Sequence, residues 1–239
     1  MSDAGVEVDV PFTLYDRAAF LPAADALVLA DLHLGRGAAS NVDAPLGDGT
    51  DAVDRLDRLL AETSPDTVVI AGDLLHSFST LPRGVEDDLL DLGATVDRAG
   101  ASLVVTPGNH DTMLESAFDG TSIDEYRLAD GETVVCHGHE RPAADADRYV
   151  IGHDHPALSV DGRKLPCFLY GPGEYDGADV LVVPAFTRLA PGSTVNGMRG
   201  RDFQTPLVAD ADAFYPAIRG GSFEEALWFP PLGECRRLL

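Results

Sequence analysis

Seven histidines occur in the chain, His33, His76, His110, His137, His139, His153 and His155, and each stands at or just past the end of a short apolar run. Beside them lie Asp31, Asp73, Asn109 and Asp111, in the serial pattern Asp31-Leu32-His33, Gly72-Asp73, Gly108-Asn109-His110-Asp111, His137-Gly138-His139 and Gly152-His153-Asp154-His155. Asp31 and His33 offer a carboxylate oxygen and an imidazole nitrogen from one strand end. Asp73 follows a glycine that permits a tight turn, and its two oxygens can bridge two ions. Asn109 adds a neutral oxygen, and His137, His153 and His155 add nitrogens. Oxygen and nitrogen donors without thiolate favour Mn²⁺, Fe or Zn²⁺ in five- or six-coordinate geometry over a closed structural zinc cage. With one shared carboxylate, Asp31, His33, Asp73, Asn109, His137, His153 and His155 suffice for two metals, the arrangement that clamps both the attacking and the leaving oxygen of a phosphoryl group.

Each fragment also has a plainer reading. Asp31 and His33 could be a solvated strand-end turn, Asp73 a helix N-cap before Leu74, and Asn109 to Asp111 a simple turn after Pro107-Gly108. The serial recurrence after apolar runs is what sets the metal reading above these. His137-Gly138-His139 offers two ligand candidates; His137 is preferred because it follows the run directly, with His139 as the alternative. Arg36 and Arg141, just past motif residues, could contact phosphate oxygens but are read as solvated surface arginines. Cys136 is read as a small buried hydrophobe.

The elements that must position these residues alternate. Apolar runs at 26–30, 67–71, 102–106 and 132–136 read as strands, and between the first three Val53, Leu56 and Leu60, then Val85, Leu89, Leu92 and Val96, recur at helical spacing. Strand, helix, strand, helix, strand is the pattern of βαβ units in a helix-covered sheet, whose functional edge lies beyond the carboxyl ends of the strands. After Ile123 short alternating segments dominate (132–136, 148–151, 156–160, 165–170, 179–183), with Asp161-Gly162 as a hairpin turn. These predict a mixed or antiparallel second sheet, with loops at 171–178 and 191–200. No repeat or linker divides the chain.

Composition bounds the environment. The 239 residues carry 40 acids against 17 basic side chains, a formal charge of −23, and 45% are hydrophobic, enough apolar residues for a folded core. Of the 17 basic residues only Lys164 is a lysine. Because the acids are spread along the whole chain, they read as a salt-adapted, halophilic surface instead of an interaction tail. No apolar run reaches the roughly 18 residues of a membrane span, the N-terminus does not resemble a signal peptide, and three widely spaced cysteines fit neither a disulfide framework nor a thiolate zinc site. A cytoplasmic enzyme is the expectation. No basic stripe supports nucleic-acid binding.

The ordered set Asp31-Leu32-His33, Gly72-Asp73, Gly108-Asn109-His110-Asp111, His137 and Gly152-His153-Asp154-His155 resembles the five motifs of the calcineurin-like metallophosphoesterase superfamily. More finely, Ala30-Asp31-Leu32-His33-Leu34-Gly35, Gly72-Asp73-Leu74-Leu75-His76 and Val183-Pro184-Ala185-Phe186 followed by Asn196 are similar to the small archaeal phosphoesterases related to SbcD-type DNA repair nucleases, and to the ligase-associated phosphoesterases. This likeness runs from about Leu27 to about Met198 and leaves the last 40 or so residues unassigned. It implies an α/β sandwich of two mixed β-sheets flanked by helices, a single metallophosphoesterase domain over residues 1–239. It implies that Asp31, His33 and His155 hold one metal, that Asn109, His137 and His153 hold the other, and that Asp73 bridges them, with Mn²⁺ preferred and Fe or Zn²⁺ as alternatives. His110 would contact the substrate phosphate and protonate the departing oxygen, Asp111 would orient its ring and keep it cationic, and His76 is a candidate substrate contact. A water acidified between the cations would be the nucleophile. The implied activity is hydrolysis of a phosphodiester, nuclease-like; the alternatives are a phosphomonoesterase or nucleotide phosphatase and, in another class, an inactive metal-binding scaffold, against which the presence of His110 argues. Only 84 residues follow His155, so a separate DNA-capping domain is not expected.

Overall fold

A computed structural model describes residues 6–39, 48–76, 80–220 and 223–236. The first half builds one sheet in sequence order from β1 (Thr13–Tyr15), β2 (Ala18–Leu21), β3 (Ala26–Leu29), β4 (Thr67–Ala71), β5 (Ser102–Thr106) and β6 (Thr121–Ser122). β3 to β6 run parallel and β1 and β2 antiparallel. A short α1 (Arg36–Ala39) and the long α2 (Asp48–Thr63) follow β3, α3 (Val85–Arg98) follows β4 and α4 (Leu114–Ala117) follows β5. The helical spacing in the sequence is realised: Leu56 and Leu60 of α2, and Val85, Leu89, Leu92 and Val96 of α3, are buried. Three acids in the first turn of α3 and Arg98 in its last complement the helix dipole.

The second half supplies β7 (Glu125–Arg127), β8 (Thr133–Cys136), β9 (Arg148–Ile151), β10 (Pro156–Val160), β11 (Arg163–Pro166), β12 (Phe168–Tyr175), β13 (Ala178–Val182), β14 (Ser193–Thr194), β15 (Tyr215–Gly220) and β16 (Phe223–Trp228). Seven of them form a mixed sheet in the order β16-β15-β12-β13-β9-β8-β7. The remaining β11-β10-β14 make a small third sheet that the sequence reading did not anticipate. Asp161 and Gly162, both at positive φ, make the two-residue turn between β10 and β11. Two segment readings change. The run 165–170 is broken at Cys167 between two strands of different sheets, and 171–178, read as a loop for its Gly and Pro, is mostly the continuation of β12, with a register irregularity between Gly171 and Tyr175 that accommodates Pro172.

Strand alternation sorts the core into layers. Leu27, Leu29, Val68 and Ile70 face α2 and α3, whereas Val28, Ala30, Val69 and Ala71 face the second sheet, meeting Val135, Val150, Phe168, Leu181 and Val183. The outer face of the second sheet is covered mainly by segments 195–214 and α5 (Leu232–Cys235), through Val195, Leu207, Phe214 and Leu232, while the longer flanking helices α2 and α3 cover the first sheet. The residues left unassigned in the sequence therefore extend and roof the second sheet. No helix among the described residues is long and apolar enough to cross a membrane.

A strap from Val183 to Thr187 ties the two large sheets at the edge where the motif residues emerge. Val183 N–H donates to Ile151 O at 2.7 Å, Phe186 N–H to Ala30 O at 2.7 Å and Thr187 N–H to Asp31 O at 3.3 Å. Two arginines anchor it from behind: Arg17 donates to the carbonyls of Ala185 and Thr187, and Arg55 donates to the carbonyl of Phe186 while stacking over that ring at 3.9 Å. Arg55 is 2% exposed and is paired with Asp16 at 2.6 Å. Removing it leaves a carboxylate and a buried carbonyl without their donor, so Arg55→Ala is expected to destabilise the fold by about 3 kcal/mol, the lower end for a broken buried pair because Asp16 is partly exposed. Arg98→Ala, which breaks the exposed pair with Asp57, should change it by less than about 1 kcal/mol. Urea unfolding of the two variants compares them.

Candidate metal centre

The motif residues converge because parallel strands end together. Asp31 lies two residues past β3, Asp73 two past β4, Asn109 and His110 three and four past β5, His137 one past β8, and His153 and His155 two and four past β9. The first two loops then zip onto each other: Asp31 N–H bonds Gly72 O at 3.0 Å, His33 N–H bonds Asp73 O at 2.8 Å, Leu34 N–H bonds Leu74 O at 2.8 Å and His76 N–H bonds Leu34 O at 3.1 Å. Holding side chains inward at such sharp exits needs unusual backbone. Asp31, His33, Asp73, His153 and His155 all have left-handed φ, between 46° and 71°, at a cost of about 1–3 kcal/mol each that the surrounding hydrogen bonds must offset. Glycine serves the same end by close approach: a Cβ on Gly72 would lie 2.0 Å from His137 Nδ1, and one on Gly108 would lie 2.1 Å from Asp73 Oδ1.

Two donor sets face each other across Asp73. On one side, His33 Nε2 lies 3.8 Å from Asp73 Oδ2 and 3.3 Å from His155 Nε2, and His155 Nε2 lies 3.4 Å from Asp31 Oδ2. One donor atom from each of Asp31, His33, Asp73 and His155 falls within a mutual 4.8 Å. On the other side, His137 Nε2 lies 3.6 Å from Asp73 Oδ1, 3.1 Å from Asn109 Oδ1 and 3.0 Å from His153 Nδ1. His139 stands further out, its ring 5.1 Å from that of His137 and 6.1 Å from that of His153. His76 and His110 flank His33 at ring distances of 5.2 and 5.3 Å and stack on each other at 5.6 Å.

The electrostatics suit cations. Burial, and then the negative charge of Asp31, raises the Asp73 carboxyl to about 7. Burial would also raise Asp31, but the hydrogen bond and charge of His155, with His137 and His33, bring it below the ordinary carboxylate range. Burial lowers His33 to about 3 and His153 to about 4, and lowers His137 as well. These imidazoles are therefore neutral and carry a lone pair. Nδ1 of His137 lies 3.2 Å from Ala71 O; with its proton placed there, Nε2 directs its lone pair at the oxygens of Asp73 and Asn109, an acceptor facing acceptors. The shielded Oδ1 of Asp31 has no hydrogen-bond donor among the described residues. Divalent cations satisfy all of these groups at once, and the donor set fits them.

Comparison with known proteins agrees with this geometry. The profile of the calcineurin-like phosphoesterase family matches residues 25–161. The chain belongs to that family. A search of curated proteins finds no match. Among solved structures, the chain is similar to the Pseudomonas putida nuclease MPE, 26% identical over 87% of this chain and 91% of that one, with a TM-score of 0.62. A calcineurin-like phosphoesterase acts on phosphoester bonds as a hydrolase, and the clustered His and Asp donors of this member meet that family's need for divalent metal.

Within this phosphoesterase the role expected for Asp111 changes. Its carboxylate accepts from the backbone N–H groups of Leu75 at 2.8 Å, Gly108 at 2.9 Å and Leu74 at 3.2 Å. It clamps the Asp73 loop to the Asn109 loop, while Asp73 Oδ1 accepts from His110 N–H at 3.0 Å. Nor is the His110 ring held cationic: burial, then the positive charges of His155 and Arg36, push its pKa below the ordinary value, with Asp31 opposing. Arg36, read as solvated, is near enough that its charge also depresses His33 and His76.

Two residues that stand within the quoted motifs, and for which the sequence implies no role, position the site. Asp154 is buried and accepts from Gln204 N–H at 2.8 Å and Thr205 N–H at 3.1 Å, pinning the segment that roofs the second sheet to the His153 and His155 loop. Asn196 clasps β10 at both the N–H and the carbonyl of Ser159, each at 2.8 Å. The close approaches predict that Gly72→Ala will displace His137 and weaken divalent-metal binding in calorimetric titration while keeping its far-UV circular dichroism. Gly197→Ala, whose Cβ would meet nothing within 4 Å, should bind as the unmodified chain does.

Proposed function

We propose that this chain is a two-metal phosphodiesterase of nuclease-like type, acting across its whole length as one catalytic domain. The observation that carries the reading is the division of Asp73: Oδ2 addresses the set of Asp31, His33 and His155, and Oδ1 addresses the set of Asn109, His137 and His153. These seven residues are the proposed ligands, with Mn²⁺ the preferred ion given hard oxygen donors mixed with imidazole. Bound there, two divalent ions would polarise the phosphoryl oxygens and supply an acidic water.

The chain's own groups do the rest. His110, its ring 5.3 Å from that of His33 and not one of the seven proposed ligands, is the proposed donor of a proton to the departing ester oxygen; the negative charge of a phosphate seated beside it would raise its pKa for that role. His76, stacked on it, holds the phosphate at the same end. Asp111 and Asp73 fix the backbone that presents His110, so the acid is positioned through main-chain bonds. Similarity to a solved structure described as a nuclease supports the diester reading over the monoester one. We read the acidic surface as salt adaptation in a cytoplasmic protein; its charges are screened beyond about 3 Å in molar salt.

Asp73→Ala is expected to abolish both Mn²⁺ binding and turnover. His110→Ala should retain the metal stoichiometry and lose about 10²–10⁴-fold in kcat; undiminished kcat would remove His110 as the acid. A panel of bis-p-nitrophenyl phosphate, p-nitrophenyl phosphate, single-stranded and duplex DNA with Mn²⁺, in low and molar salt, assigns the substrate class. Cleavage of the monoester alone would defeat the diesterase reading, and no turnover with two metals bound would favour a scaffold.

A further inference from the structure

A second feature adjoins the Asn109 and His137 end of the site. A cleft of about 370 Å³ opens between the loop carrying Pro107 and the loop after β8, bounded also by Asp124, His139, Glu140, Arg141 and Pro142. Its size lies at the lower end of small-molecule pockets, about 300–1,000 Å³. Asn109 is exposed, so the metal centre opens to solvent on this side, and Pro107 is two residues from it. The proposed acid His110 stands at the opposite end, against His33 and His76. A phosphodiester seated between the two ends, with its departing oxygen toward His110, would place its retained ester group toward this cleft. A phosphomonoester has no retained group and would leave the cleft unused.

The lining decides what that group is. Asp124, Glu125 and Glu140 bring three negative charges against the single positive charge of Arg141. A second backbone phosphate is repelled by such a balance, and a neutral group with hydrogen-bond donors is favoured. The Glu125 carboxylate is already engaged by the Ala143 and Ala144 N–H groups, at 2.5 and 2.8 Å, and so shapes the loop. Glu140 and Asp124 remain as acceptors. Pro107, Pro142 and the plane of the Arg141 guanidinium provide flat surfaces against which a planar ring can stack.

We propose that this cleft is a nucleobase subsite for the retained ester group of a nucleotide diester, with Glu140 accepting from ring N–H and amino groups and Arg141 stacking on the base. The assignment rests on the diesterase reading above and narrows its substrate to nucleotide diesters. Hydrolysis then breaks the bond from phosphorus to the departing oxygen, joins a water oxygen to phosphorus, delivers a proton to the leaving group, and releases a nucleoside monophosphate.

The test uses substrates that share p-nitrophenol as leaving group and differ in what is retained: p-nitrophenyl phosphate, methyl p-nitrophenyl phosphate and guanosine 5′-p-nitrophenyl phosphate, each with the Mn²⁺-loaded full chain. The guanosine diester is expected to exceed the methyl diester by about tenfold or more in kcat/KM, and Glu140→Gln and Arg141→Ala should each lower that ratio at least fivefold or so. Both residues are exposed, and because the readout is a ratio within one protein, a general loss of activity does not imitate it. A guanosine to methyl ratio near one, or a ratio that neither variant moves, would overturn the subsite. Faster turnover of the monoester than of either diester would instead overturn the diesterase reading beneath it.

Discussion

The structure turns on the burial of two carboxylates side by side. Asp31 is fully shielded and Asp73 nearly so, each exposed by 2% or less, and like charges at close range in a poorly solvated site strongly disfavour each other. The pull of Asp73 toward neutral pKa is the signature of that conflict. Histidine relieves it only in part: burial would lower His155, but its hydrogen bond to Asp31 and the charges of Asp31 and Asp73 raise it, whereas burial holds His33, His137 and His153 neutral. Carboxylates still short of positive charge, surrounded by imidazole lone pairs that need a Lewis acid, suit a divalent cation. The strained left-handed residues and the close glycine approaches are consequences, since only abrupt strand exits can aim so many donors at one small volume.

That demand propagates outward. The loops after β3 and β4 are held by mutual backbone bonds, the loops after β4 and β5 by the Asp111 carboxylate, and the loop after β9 by Asp154 against residues 204 and 205. The strap at 183–187 closes the seam between the sheets directly behind Asp31, and Arg17 and Arg55 hold the strap. Buried polar groups outside the two donor sets thus act as fasteners between loops. Each takes backbone N–H or carbonyl groups that the irregular strand exits would otherwise leave unpaired.

Much of this was legible in the sequence, and the boundary of legibility is physical. The βαβ half was readable because Leu56, Leu60, Leu89 and Leu92 repeat at helical period beside alternating strands. The convergence of these side chains was readable because histidine is scarce and its instances lie in the loops that leave strand ends. The third sheet was not, because two-residue β14 and the pairing of β10 with β11 leave no periodicity longer than a turn. The continuation of β12 through Pro172 was hidden because Gly and Pro signal loops wherever a bulge can also absorb them. Asp111 was misread for a related reason. Adjacency to His110 in sequence suggested a side-chain partnership, whereas its actual partners are backbone amides at Leu74 and Leu75, which have no residue-specific mark.

The acidic composition and the phosphate chemistry are reconciled by distance. Two divalent ions would bring four positive charges to the centre; Asp31 and Asp73 remove two and a hydroxide a third, leaving it near +1 by simple count. Surface acids more than a screening length from the centre, about 3 Å in molar salt, do not cancel a charge held at contact with the substrate. The acids of the cleft beside His139 act differently, because they too are near contact. There the local sign is negative, and it selects what is attached to the phosphate instead of the phosphate itself. A chain of net charge −23 can in this way present a cationic centre for the scissile group next to an anionic wall for its neutral neighbour, and the juxtaposition favours a substrate in which charge is confined to one phosphate.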